Sequence, residues 1–303
     1  MSENSLCFVQ FLHPGGEHRP DKGRFKAWNR RDHQRKFIVS KGRAVRGKEA
    51  LEAELVFWGE WEPESEVYGA IRQPMPQGPR HIYRPFYVVP HSYDRLQNTD
   101  PFVFGTFLYG ICQQHRSTGP TQLRYLKRGS VILFGSCVAD EFVLDTVFVV
   151  RDWIDHNRSS YRSALSGRVP PGYMDITMNP LYLSGRGVED SCPSDTDRSY
   201  RLYFGATYDA PVEGMYSFFP CLPLDRGGHG FARPTIRDTR IITTNHRQSY
   251  RLNPQPAQDQ VRELWHSVVE QVLAQGLWQG VQAQMPEVRT AVVFGASAGA
   301  LTG

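Results

Sequence analysis

The sequence predicts an α+β fold dominated by strands, with one amphipathic helix near its C-terminal end. Two observations predict it. Apolar and aromatic residues recur in short runs bounded by Gly, Pro and Asp, the pattern of strands that are buried on one or both faces. Only residues 258 to 275 repeat apolar side chains at the three- and four-residue spacing of a helix. A length of 303 residues, 40% hydrophobic and 12% aromatic, is enough for a substantial core in one large or two moderate domains.

The elements follow in order. LCFVQFL begins as an apolar strand and breaks at Pro14, Gly15 and Gly16. Residues 19–48 are basic, with Phe25, Trp28 and Phe37 as sparse apolar anchors. ELVFWGEWE (54–62) and EVYGAI (66–71) have strand composition, rich in aromatic and β-branched residues. The proline-heavy QPMPQGPRHIYRP separates them from FYVVP and the apolar run FVFGTFLYGI. GSVILFG and FVLDTVFVV predict an antiparallel pair. Residues 156–199 are rich in Ser, Gly, Pro and Asp and predict a long loop or linker. Strand signals return in YRLYFGATY, MYSFFPCLPL and TRIITT. In the helix, Val261, Leu264, Trp265, Val268, Val272 and Leu273 form one face, and Gly276 is a fitting stop. This divides the chain into a strand-rich half (1–155), the linker, and a second lobe (200–303) packed on the first.

Several functional classes drop out. No run approaches the roughly 18 apolar residues of a membrane span, so a cytoplasmic protein is expected. The five cysteines are odd in number, widely spaced and never in a CxxC pair, which predicts thiols in a reducing compartment. Histidines and carboxylates show no metal-ligand spacing, and neither a metal nor a cofactor is expected. GxSxG and GxxxxGK[ST] motifs are absent, and GASAGALTG at the end has no following helix to make a dinucleotide site.

The charge is uneven. The net value is +4, yet residues 19–48 hold twelve Lys or Arg against two Asp. A segregated basic stretch interleaved with aromatics suits a polyanion such as nucleic acid, where neutralised phosphates release counterions. Arg30, Arg31, Arg35, Lys36, Lys41 and Arg43 are the candidate phosphate contacts; a solvated basic face is the alternative.

The stretch FWGEWEPES places Trp58, Glu60 and Glu62 on one strand face and Phe57, Gly59 and Trp61 on the other. An aromatic ring beside two carboxylates can hold a flat ligand next to an acid or base, because like charges at close range shift one another's protonation. The loop HPGGEHRPD brings His13, Glu17, His18 and Asp21 to the end of a buried strand, where catalytic groups are commonly held. Asp145 interrupts the apolar faces of FVLDTVFVV and must be hydrogen-bonded or protonated there, with a hydrogen bond to a neighbouring loop as the expected role. Gln113 and Gln114 could read a base edge and Tyr109 could stack on it. Tyr216, Phe218 and Phe219 are expected in the core.

LKRGSVILFGS followed by FVLDTVFVV resembles the PUA-like small β-barrels, including ASCH and EVE domains, over about 30 of the 303 residues. That resemblance implies a PUA-like barrel and an association with RNA and modified bases. FLHPGG resembles the strand and Pro-containing loop of uracil-DNA glycosylases, which would imply an α/β fold instead; His13 stands where those enzymes place a different polar group. The whole chain looks like bacterial proteins of DNA base modification and phage defence, which include a glycosylase acting on glucosylated hydroxymethylcytosine. These resemblances imply a DNA glycosylase that flips a modified base from phage DNA and hydrolyses its N-glycosidic bond. Glu60, Glu62 or Glu17 would then orient water or stabilise the sugar cation, and His18 would meet the leaving base. A non-catalytic reader of modified bases is the alternative.

Overall fold

The computed structural model describes residues 4–12, 35–71, 79–89, 93, 99–138, 141–183, 198–241, 249–252 and 256–290. Strands dominate, in mixed sheets, with few helices. The first sheet is built from β1 (Phe8–Leu12), β6 (Leu108–Tyr109), β9 (Val131–Val138), β10 (Glu141–His156), β11 (Tyr200–Gly205) and β13 (Ser249–Leu252), in the order β13-β1-β9-β10-β11-β6. The second contains β2 (Arg35–Arg46), β3 (Glu49–Glu60), β4 (Ser65–Ala70), β5 (His81–Val88), β12 (Phe219–Pro223), β14 (Trp278–Ala283) and β15 (Glu287–Arg289). A two-stranded hairpin, β7 (His115–Arg116) and β8 (Gly119–Pro120), stands apart. Most pairs are antiparallel; β1–β9, β2–β5 and β5–β15 are parallel.

Within the second sheet four strands close on themselves. β2 pairs β3, β3 pairs β12, β12 pairs β14, and β14 returns to β2 through Gln279–Val45 and Gly280–Ala44. Two glycines permit this closure. A Cβ on Gly42 would lie 2.1 Å from the Gln282 carbonyl oxygen, and one on Gly280 would lie 2.0 Å from the Phe219 ring.

Three apolar layers follow from side-chain alternation. The largest lies between the sheets, where Phe11, Phe134 and Phe148 meet Ile38, Phe57, Trp61 and Phe219. On the outer side of the first sheet, Leu133, Val147 and Val149 pack under the helix Gln258–Ala274 through Val261, Leu264, Trp265, Val268 and Val272. The outer side of the second sheet carries Phe37, Val39, Val56, Trp58 and Ile82, covered by Leu224 and Phe231. The two faces expected for 55–61 therefore both exist, and both are buried.

Three expectations need correction. Residues 156–199 are not one loop: helical turns occupy Tyr161–Leu165, Pro171–Tyr173 and Asn179–Leu183, the last two joined by a π-helical turn, Met174–Met178. Asn157 Oδ1 accepts the backbone N–H of Ser159 and Ser160, and Pro171 sits at a first helical position, local signals hidden by the surrounding Ser and Gly. Basic composition likewise concealed a twelve-residue strand at Arg35–Arg46. The alternation through FVLDTVFVV is broken as well, because the register of β10 against β9 shifts between Leu144 and Thr146. Asp145 occupies that bulge, so Leu144 and Val147 face the same apolar layer. The antiparallel β9–β10 pair and the C-terminal helix lie where the sequence predicts them. No described helix is long and apolar enough to cross a membrane.

Candidate active site

The site is assembled at the end of β3. Antiparallel register sets Arg35, the first residue of β2, directly opposite Glu60, the last of β3. Arg35 Nε and Nη2 donate to Glu60 Oε2 at 3.1 and 3.0 Å. The same guanidinium donates through Nη1 to Asp145 Oδ2 at 2.5 Å. Asp145, turned by the bulge, accepts at Oδ1 from Arg233 Nη1 at 2.8 Å. The guanidinium of Arg233 in turn lies over the Trp58 ring, 4.8 Å from its centroid. All five side chains are buried. Four separated stretches of sequence thus supply one continuous charged chain in which, among the described residues, two arginines meet two carboxylates.

Burial makes this arrangement stiff. An unpaired charge here would carry a large desolvation cost, so each member fixes the position of the next. Glu62, two residues beyond the strand, is 1% exposed, and its backbone N–H donates to Thr99 Oγ1 at 3.4 Å. The adjoining Asp100 precedes Pro101 and accepts three backbone N–H groups: Gly110 at 2.9 Å, Ile111 at 2.7 Å and Cys112 at 2.8 Å. These bonds fold the apolar run 102–111 back beside the site. Burial pushes the Asp100 carboxyl up to about 7, against the three N–H donors, and the Glu60 charge adds to the rise.

The sequence candidates separate into groups. Arg35, Glu60 and Trp58 come together, with Glu62 just beyond. Lys36 points to the opposite face from Arg35, where its Nζ donates to Ser65 Oγ at 2.8 Å. Burial lowers it to about 8, opposed by the charge of Glu64. Lys41 and Arg43 lie farther along β2, roughly 20 to 27 Å from Arg35 at strand rise. They line a groove of about 530 Å³ that also contains Glu52 and Glu54. Arg43 pairs there with Asp209 at 3.0 Å.

Tyr109 and Gln114 are committed elsewhere. The Tyr109 ring stacks on Tyr203 at 5.8 Å inside the core, and its hydroxyl donates to the Cys112 carbonyl. Gln114 Nε2 donates to the Arg201 carbonyl at 2.6 Å while its Oε1 accepts from Arg201 N at 2.9 Å. Gln113 holds a turn at φ +60. Stacking and edge reading therefore fall outside Tyr109 and Gln114. Glu17, His18, Arg30 and Arg31, with His13 and Asp21, lie outside the described residues. Arg233 and Asp100 were not anticipated. Arg233 follows a Gly-rich stretch without periodicity, whereas the pairing of Asp100 with Pro101 ahead of an apolar run is a legible turn signal.

Among the described residues no group of three or more His, Cys, Asp or Glu is placed to hold a metal. Cys7, Cys112, Cys137 and Cys221 are buried and form no disulfide. Comparison with protein-family models, curated proteins and solved structures finds no match to this chain.

Proposed function

We propose that the protein acts on nucleic acid and hydrolyses the N-glycosidic bond of a flipped base, a modified base above all, at the end of β3. The observation that carries this reading is the burial of Glu60 beside a guanidinium held on both sides by carboxylates, with Glu62 buried two residues farther on. Cleavage of an N-glycosidic bond builds positive charge on the sugar. A fixed carboxylate in a low-dielectric setting stabilises that charge without reorganising. In this reading Arg35 does not hold phosphate; it positions Glu60. Glu62 orients the attacking water, and Glu17 and His18 keep the roles given to them above. Arg30 and Arg31 are the phosphate contacts nearest in sequence, with Lys41 and Arg43 reserved for DNA farther along β2.

The closed ring β2-β3-β12-β14 and the prevalence of antiparallel pairs support a PUA-like barrel over an α/β glycosylase fold. One observation favours the second reading, a non-catalytic base reader: Glu60 already has an ion-pair partner, and a paired carboxylate can serve to keep a pocket in shape. Duplex DNA bearing cytosine, 5-hydroxymethylcytosine or its glucosylated form separates the two. Released base and alkali-labile sites are expected from a modified duplex. Glu62→Gln should lower release about a hundredfold or more while DNA retention stays unchanged. Retention of modified DNA with neither product overturns hydrolysis and supports the reader.

A further inference from the structure

We infer that Trp58 recognises the ligand of this site through its indole N–H and not through its ring face. The inference rests on the proposed location of the site, though not on its chemistry. Trp58 is 5% exposed, with Arg233 over its ring at 4.8 Å and Phe37 set edge-on at 5.2 Å. No base can stack on a ring so enclosed. Its Nε1 is fully buried and has no hydrogen-bond partner among the described residues.

A buried indole N–H ordinarily finds an acceptor. Trp61 and Trp265 show the rule in this molecule: the first donates to the carbonyls of Glu64 and Phe86, the second to that of Tyr216. Trp58 departs from it at the place where the charged chain ends. Strand alternation puts Trp58 on the face of Glu60, and Arg233 ties it to Asp145. The missing acceptor therefore belongs to whatever enters beside the carboxylate and arginine cluster. The chemistry required is a hydrogen-bond acceptor, which a carbonyl oxygen or ring nitrogen on a nucleobase edge supplies. A ligand offering only donors would leave the N–H unsatisfied and bind less tightly.

Proton–nitrogen correlation spectra of tryptophan-labelled protein test this directly, because six indole signals are expected and Trp58→Phe identifies one of them. The probes are the three duplexes above together with the free bases cytosine and 5-hydroxymethylcytosine. On adding an acceptor-bearing probe the Trp58 signal should move downfield, whereas those of Trp61 and Trp265 stay in place. Trp58→Phe should weaken binding or lower kcat/KM for the preferred duplex by about tenfold, the scale of one hydrogen bond, measured well below the melting temperature of the variant, where it is fully folded. Base release with a stationary Trp58 signal and an unimpaired variant overturns the inference and leaves the hydrolase reading standing. A moving signal without base release sustains the inference and overturns hydrolysis. No movement with any probe, and no release, overturns both.

Discussion

His156, at the end of β10, is 2% exposed and lies with Nδ1 2.7 Å from the Tyr182 hydroxyl. Burial lowers it to about 4, against the attraction of Asp155. In the unfolded chain an ordinary His takes up its proton near 6.5, so the stability His156 contributes is complete above that value and is lost as pH falls towards 4. Asp100 has the opposite sign. Its carboxyl is raised to about 7 in the fold, so its contribution is complete below about 4 and is lost as pH rises to 7. Each effect is on the order of 3 to 4 kcal/mol, and across the shared window they nearly cancel. Urea unfolding between pH 4 and 7 should separate them. Relative to wild type, His156→Asn should lose stability as pH rises, while Asp100→Asn should gain it. Parallel curves for all three proteins would refute the assignment. At this scale the sequence revealed Trp58 and Glu60 through their spacing of two, because alternation is local. Arg35 is set by the register of β2 against β3, and Asp145 and Arg233 reach the site from a strand and a loop far away in sequence, which no local pattern encodes.

The bulge in β10 is the element on which the site depends. By inserting one residue against β9 it turns Asp145 out of the apolar alternation and onto two guanidinium groups. Arg233→Met should therefore destabilise the protein by roughly 3 to 5 kcal/mol, because Asp145 keeps its burial and loses one partner. Pairing Arg233→Met with Asp145→Leu should recover much of that loss. Denaturant midpoints of the single and double variants decide the point, and equal destabilisation by both would argue against it. The C-terminal helix follows simpler rules: Leu264 is fully buried against the first sheet, and Leu264→Ala should cost about 2 to 5 kcal/mol by the same measurement. That helix was legible because its apolar period runs unbroken for seventeen residues. The helical turns between Tyr161 and Leu183 were not, since the first is only five residues long and the stretch Pro171–Leu183 changes from α to π geometry and back, which breaks a regular apolar period.

Over the whole molecule, composition and run length revealed a strand-rich α+β chain, whereas the sheet order came from contacts far apart in sequence. β1 lies between β13 and β9, and β12 and β14 join the strands of the first sixty residues. A division at residue 155 is therefore crossed by backbone pairing in both sheets. The closing strand β14 carries a further consequence for biosynthesis. Until Trp278–Ala283 has left the ribosome, β2 and β12 each present a row of unsatisfied amides and carbonyls to the cell. Nascent chains stalled before that point should be recruited by chaperones and form inclusion bodies, and supplying the last stretch as a separate peptide should rescue part of the yield.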